Sequence, residues 1–384
     1  MMLEGAQTMA SLNAPTDIQT GLSTADGIVG PATLPLIPGQ TVGGTSDSGG
    51  TGSVTNLETR VFENVFDMLP NEANPSPMVK LGGMNPLRDT SPGFSLFGKL
   101  EWMNPFGSVK DRAAYALIQS MEAKGQVGSA RPARNLVEPT SGNTGISLAA
   151  MASIRGYHLR AIVPEKVPHE KKVLLKIAGA KVDVMTDAMC PSPGMGEGAI
   201  GMARSYAKAQ SDEYAMPNQY ENAANAEAHI RTTGPEIWRQ TAGKVTHVFT
   251  SLGTCGTVTG IATSLKKLNP NIKIYAIQPS EGHDVPGLRN TSELHVSKLF
   301  DPTLIDEIVE VPFEHAYTRA LDLCQREGLF AGPSSGLIYE GARRVLERDR
   351  PQTGVGVMIF CDGIFKYISS MTKHLGSRLA MDVE

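Results

Sequence analysis

What this 384-residue chain has little of narrows its chemistry before any motif is read. It has four cysteines, Cys190, Cys255, Cys324 and Cys361, widely spaced and with no CxxC pair. Neither a disulfide framework nor a zinc knuckle is indicated, no metal is expected, and a reducing, cytoplasmic compartment fits best. Aromatic residues make up 6% of the sequence and the formal net charge is -4. Nucleic acid is not an expected partner, because phosphate contacts need clustered Lys and Arg. No apolar run approaches the ~18 residues of a membrane span, so no membrane partner is expected either. What is present is ample length for a large core in two domains or so, with small molecules as the expected partners.

The first 58 residues contain no Lys or Arg and are rich in Gly, Ser, Thr and Pro, as in "GLSTADGIVGPATLPLIPGQTVGGTSDSGGTGS". That composition predicts a flexible low-complexity tail over 1–58, and without a basic start it does not read as a secretory leader. From "RVFENVFDMLP" onward the texture changes to short strand-like and helix-like stretches with Gly, Pro or Ser/Thr at the junctions. That is the pattern of an α/β protein. Candidate strands are "FSLFGKLEW", "RNLVEP", "LRAIVP", "AKVDVM", "KVTHVFTS", "IKIYAIQP" and "VGVMIFCD". Ligands of such sheets gather beyond the carboxyl ends of the strands, so the loops that follow strands are the places to search.

Three stretches carry chemistry. "SLGTCGTVTG", Ser251 to Gly260, is a strand, a Gly-rich turn and a helix start. Its small residues let backbone N–H groups approach a phosphate, which the helix dipole favours. It is neither a Walker loop nor a GxGxxG fingerprint, so a fixed cofactor phosphate is expected rather than ATP. "EPTSGNTG", Glu138 to Gly145, sets Thr140, Ser141, Asn143 and Thr144 at another helix start. One such residue suffices for a cap; four suggest a carboxylate site. In "NPFGSVKDRAAYALI", Lys110 falls in the first turn of a helix, where the dipole disfavours a cation. A lysine so placed is held closer to its free amine, the form that attacks an aldehyde. A phosphate cradle, a carboxylate cradle and a depressed lysine together describe a pyridoxal phosphate enzyme acting on an amino acid.

"NPFGSVKDR", "EPTSGNTG", "NQYENAANAEAHIRTTGPEIW", "SLGTCGTVTG" and "AGPSSG" stand in the order found in the cysteine synthase branch of fold-type II pyridoxal phosphate enzymes, which the chain resembles from about residue 60 to about residue 375. The resemblance implies a tryptophan synthase β-like fold, two three-layer αβα domains with twisted, mainly parallel sheets. The smaller would span 59–217 and the larger 218–384, in a homodimer. It implies that Lys110 carries the Schiff base of pyridoxal 5'-phosphate and moves the proton. Asn143 would face the phenolic oxygen, the turn of Gly253, Thr254, Cys255, Gly256 and Thr257 the phosphate, and Ser334 the pyridine nitrogen. Thr140, Ser141 and Thr144 with Gln219 would take the substrate carboxylate. Two positions depart from many relatives: Cys255 in place of glycine and Pro333 in place of isoleucine.

The stretch "SEGHDVPGLRNTSEL" is similar to that of enzymes acting on O-phosphoserine, where an arginine binds phosphate; here that is Arg289. A guanidinium binds a phosphate dianion bidentately and gains little from an acetyl ester. His283 and Arg231 are further candidate cations. The expected reaction is therefore β-replacement of O-phospho-L-serine by sulfide through an aminoacrylate, giving L-cysteine with ping-pong kinetics. O-Acetylserine as donor, a cystathionine β-synthase activity and a catalytically silent binding subunit are the alternatives. The tail has no Cys and His pair for haem, which weighs against the second, and Lys110, Asn143 and Ser334 weigh against the third.

Overall fold

A computed structural model describes residues 60–128, 135–186 and 198–379; the expected tail and Cys190 lie outside them. The α/β expectation is met by two sheets with ten strands: β1 (Met78–Lys80), β2 (Gly93–Leu100), β3 (Asn135–Pro139), β4 (Leu159–Pro164), β5 (Lys181–Met185), β6 (Tyr214–Ala215), β7 (Val245–Ser251), β8 (Lys273–Pro279), β9 (Glu307–Val311) and β10 (Thr353–Phe360). The larger sheet has the order β1-β2-β10-β7-β8-β9 and the smaller the order β5-β4-β3-β6. Every pairing is parallel except β1 with β2.

Parallel strands need crossovers, and the helices supply them. These are α1 (Lys110–Ala123), α2 (Asn143–Arg155), α3 (His169–Ile177), α4 (Gly198–Ala209), α5 (Ala224–Arg231), α6 (Thr233–Gln240), α7 (Gly256–Leu268), α8 (Glu314–Glu327), α9 (Pro333–Asp349) and α10 (Ile368–Leu379). Because both faces of each sheet are covered, successive strand residues feed different hydrophobic clusters. In the larger sheet Phe249, Tyr275 and Ile277 pack with α8 and α9, whereas Val248, Ile274 and Ala276 pack with α6 and α7. The smaller sheet repeats this: Leu136, Ala161 and Val163 face α1 and α2, and Val137 and Ile162 face α4.

The sheets do not divide at residue 217. β2 pairs with β10 over its full length from Gly93↔Thr353 to Leu100↔Phe360, so β1 and β2 belong to the larger sheet although they precede the smaller one. The chain starts in one layer, builds the other, and returns. The loop between β2 and Lys110 lies beside the end of β10: Val109 N–H donates to the Cys361 carbonyl at 2.8 Å.

Candidate active site

Lys110 is the first residue of α1, and the loop before it is fixed on all sides. Asn104 Nδ2 donates to the Ser108 carbonyl at 2.9 Å and to Glu101 Oε2 at 2.8 Å. Asp111 accepts from Phe106 N–H at 2.7 Å and from Ser147 Oγ at 2.6 Å; burial nonetheless raises its pKa to about 6. Beneath lies a buried ion cluster in which Arg112 bonds both Glu101 and Glu236 and Lys99 lies 2.8 Å from Glu236. Two cations and two carboxylates balance there, so the α1 start is anchored by charges that have no water to turn to. The Lys110 side chain reaches into the cavity but is walled by protein, and burial is the largest cause of its lowered pKa; Cys361, Cys255 and Asp362 oppose it in part. The dipole argument therefore names the right direction, with desolvation as the larger cause.

A second wall is the turn from β3 into α2. Gly142 has φ +137°, a conformation open to glycine. Thr140 Oγ1 accepts from the N–H groups of Gly142 at 3.1 Å and Gly145 at 3.0 Å, so its oxygen shapes the loop. Thr144 Oγ donates to Gln219 Oε1 at 2.7 Å, and Gln219 Nε2 donates to the Pro139 carbonyl at 2.9 Å. These two expected site residues, distant in sequence, are thus brought into contact. Glu138, which sequence reasoning passed over, holds them: its buried carboxylate accepts from the N–H groups of Asn218 and Gln219 at 2.8 and 2.9 Å. Burial raises its pKa to about 7 against those bonds.

The third wall runs from β7 into α7. Cys255 is its N-cap with φ +66°, a left-handed conformation that costs a non-glycine residue energy. Glycine would adopt this conformation without that cost. The Cys255 thiol is buried and its pKa is pushed up to about 12 by desolvation, which favours the protonated thiol over the thiolate. Gly256 needs to be glycine for another reason, since a Cβ would strike the Asn225 carboxamide. Asn225 Nδ2 in turn donates to Thr254 Oγ1 at 3.0 Å, and Thr257 Oγ1 lies 3.1 Å from His229 Nε2. Burial lowers the His229 pKa to about 3, so this ring is neutral. Ser334, in the first turn of α9 behind Pro333, completes the wall.

Together these residues border a cavity of ≈ 360 Å³. Of the thirteen expected site residues, twelve line it: Lys110, Thr140, Ser141, Asn143, Thr144, Gln219, Gly253, Thr254, Cys255, Thr257, Arg289 and Ser334. Gly256 stands behind the turn. Arg289, 5% exposed, donates through Nη2 to Tyr220 OH at 3.2 Å and through its N–H to the Leu252 carbonyl at 3.0 Å. His283 also borders the cavity, but is a buried ring whose Nδ1 accepts from Val285 N–H at 3.2 Å while Nε2 lies 3.3 Å from Glu293. Arg231 is not in this wall; it pairs with Glu227 on the exposed face of α5.

The segment after β10 contains the principal omission. Asp362 accepts from Asn143 Nδ2 and from Tyr367 OH, both at 2.6 Å. Lys366 Nζ donates to the carbonyls of Phe106 and Gly107 and, at 3.3 Å, to Asn143 Oδ1. Asn143 is thereby oriented and the Lys110 loop tied to it. The signal was present, since this loop also follows a strand of the sheet.

The donor set fits one kind of cofactor. Small residues at a helix N-terminus suit a phosphate, a desolvated amine suits an aldehyde, and Thr250 Oγ1 is buried in the wall with no protein partner. The fold and the site define the class: a pyridoxal phosphate enzyme. In agreement, the family model described as pyridoxal-phosphate dependent enzyme matches residues 70–362. Cysteine synthase B of Salmonella typhimurium is 38% identical over 77% of this chain and 92% of its own length. Cystathionine beta-synthase of Apis mellifera is 36% identical over 71% of this chain and 55% of its own. Among solved structures, O-ureido-L-serine synthase superposes with a TM-score of 0.72 at 27% identity, over 84% of this chain and 98% of that one. The chain belongs to the cysteine synthase family of fold-type II, pyridoxal phosphate-dependent enzymes. No helix among the described residues is long and apolar enough to cross a membrane.

Proposed function

We propose that this enzyme makes L-cysteine from O-phospho-L-serine and sulfide by β-replacement. The observation that carries the choice of donor is Arg289, a buried guanidinium in the cavity wall, steadied by Tyr220. The wall favours anions as a whole. Besides Lys110, which acts as a free amine, it carries Lys166, Lys171 and Arg289 with Asp284 and Glu293, and Asp284 is bonded by Lys373 and His374. A phosphate ester brings charge that a guanidinium binds, whereas an acetyl ester is neutral.

When bound, pyridoxal 5'-phosphate supplies an electron sink for charge developing at the substrate α-carbon. The chain does the rest. The turn from Gly253 to Thr257 would hold the cofactor phosphate, Asn143 would face its ring oxygen, and Ser334 would offer the ring nitrogen a neutral hydroxyl. Lys110, its proton affinity lowered by burial, takes the α proton as a free amine. Ser141, Thr144 and Gln219 hold the substrate carboxylate over the loop that Thr140 shapes, and Arg289 holds the departing phosphate. Sulfide then adds at the β-carbon, and Lys110 returns the proton to the α-carbon.

The test compares donors on the wild-type enzyme with sulfide as acceptor, following cysteine together with phosphate or acetate release. The proposal expects kcat/KM to be higher for O-phospho-L-serine than for O-acetyl-L-serine; the reverse order overturns it and leaves O-acetylserine as the donor.

A further inference from the structure

Lys171, on α3, is a charged side chain of the cavity wall that the proposed reaction leaves without a task. It is 1% exposed and borders the cavity. Its stem runs beneath the turn from β3 to α2, where a Cβ on Gly142 would lie 2.7 Å from Lys171 Cδ. Its Nζ sits 3.9 Å from the centroid of the Tyr367 ring. Among the described residues none accepts a hydrogen bond from that Nζ. Of the two nearby carboxylates, Glu170 takes the N–H and hydroxyl of Ser369, and Asp362 takes Asn143 and Tyr367 on Oδ2, so that its attraction for Lys171 acts through space without a hydrogen bond to Nζ.

An ammonium stripped of water and given an aromatic face is poorly compensated. The turn above it offers hydroxyls, an amide and a helix N-terminus, all neutral. A carboxylate arriving there would find hydrogen bonds from the turn and the positive charge of Lys171, whereas the neighbouring Lys366 already donates to the carbonyls of Phe106 and Gly107 and to Asn143 Oδ1. Arg289 belongs to a different stretch of wall, beside Tyr220 and Leu252.

We infer that Lys171 supplies the charge of the carboxylate subsite, so that the α-carboxylate of the amino-acid substrate is bonded by the Thr140–Thr144 turn and drawn to Lys171 Nζ. The inference rests on reading that turn as the carboxylate site. It makes Lys171 a specificity residue for amino acids over decarboxylated amines, separate from the phosphate selection of Arg289.

The experiment is a binding titration of the cofactor-loaded enzyme without sulfide, read by cofactor absorbance, with L-serine and with O-phospho-L-serine. Lys171→Met is expected to weaken both by about tenfold, Lys171→Arg to recover most of the loss, and inhibition by inorganic phosphate to stay unchanged. Unchanged L-serine affinity in Lys171→Met overturns the inference. So does a loss confined to O-phospho-L-serine and inorganic phosphate, which would assign Lys171 to the leaving group. If Lys171→Met does not retain cofactor, Lys171→Gln replaces it under the same expectations. Should Ser141→Ala with Thr144→Val leave L-serine affinity intact, the carboxylate reading of the turn falls, and the inference with it.

Discussion

The loop that carries Lys110 and the loop that carries Arg289 border the same cavity but are secured by different means. Below the first, Lys99, Glu101, Arg112 and Glu236 form ion pairs with side chains 0–1% exposed. In the second, Asp284 bonds Lys373 and His374 with its own side chain 31% exposed, and the backbone turns on Gly282 and Gly287 at positive φ. Breaking a buried pair strands a charge, whereas a half-exposed pair can be replaced by water. In the proposed reaction this becomes a division of labour: the group assigned the chemistry is anchored over buried charge, while the group assigned donor selection sits on a stretch held by a half-exposed pair.

The largest expected effect falls on the fixed side. Lys110→Ala should lower kcat by at least about 10³-fold and change the cofactor absorbance while circular dichroism stays native; an unaltered absorbance band would place the reactive amine elsewhere. Next, Arg112→Met should cost about 3–5 kcal/mol in denaturant unfolding, because Glu101 and Glu236 lose their common partner. A similar cost on removing Asp284's half-exposed partner, Lys373, would erase the contrast between the loops. The smallest effect is expected at Cys255→Gly. Relief of the left-handed backbone should stabilise by at most about 1 kcal/mol and leave activity intact; lost activity would show that the thiol takes part.

The strands most legible in the sequence were those buried on both faces, such as β7 and β8, whose apolar runs carry the signal. β1 and β6 have three and two residues, too few for any pattern, and the edge strand β9 leaves Ile308 and Glu310 exposed on one face. Sequence order could not show that β2 would return to pair with β10, since nothing local to residues 93–100 encodes a partner some 260 positions away. The site divides in the same way. Loops that follow strands announced Lys110, Asn143 and the Gly253–Thr257 turn as cavity residues. Asp362, Lys366, Glu138 and Lys171 acquire their places by long-range packing, as in the bond between Asn143 and Asp362 across 219 residues, and their residue types alone read as ordinary surface charge.

The central claim is that charge in the cavity wall selects the donor. Its most direct test is the ratio of kcat/KM for O-phospho-L-serine to that for O-acetyl-L-serine, measured for the wild type and for Arg289→Ala. A desolvated guanidinium–phosphate contact predicts that the ratio falls about 100-fold through loss of the phosphoserine reaction, with the acetylserine value changing by no more than about threefold. Equal losses with both donors, leaving the ratio unchanged, would contradict it.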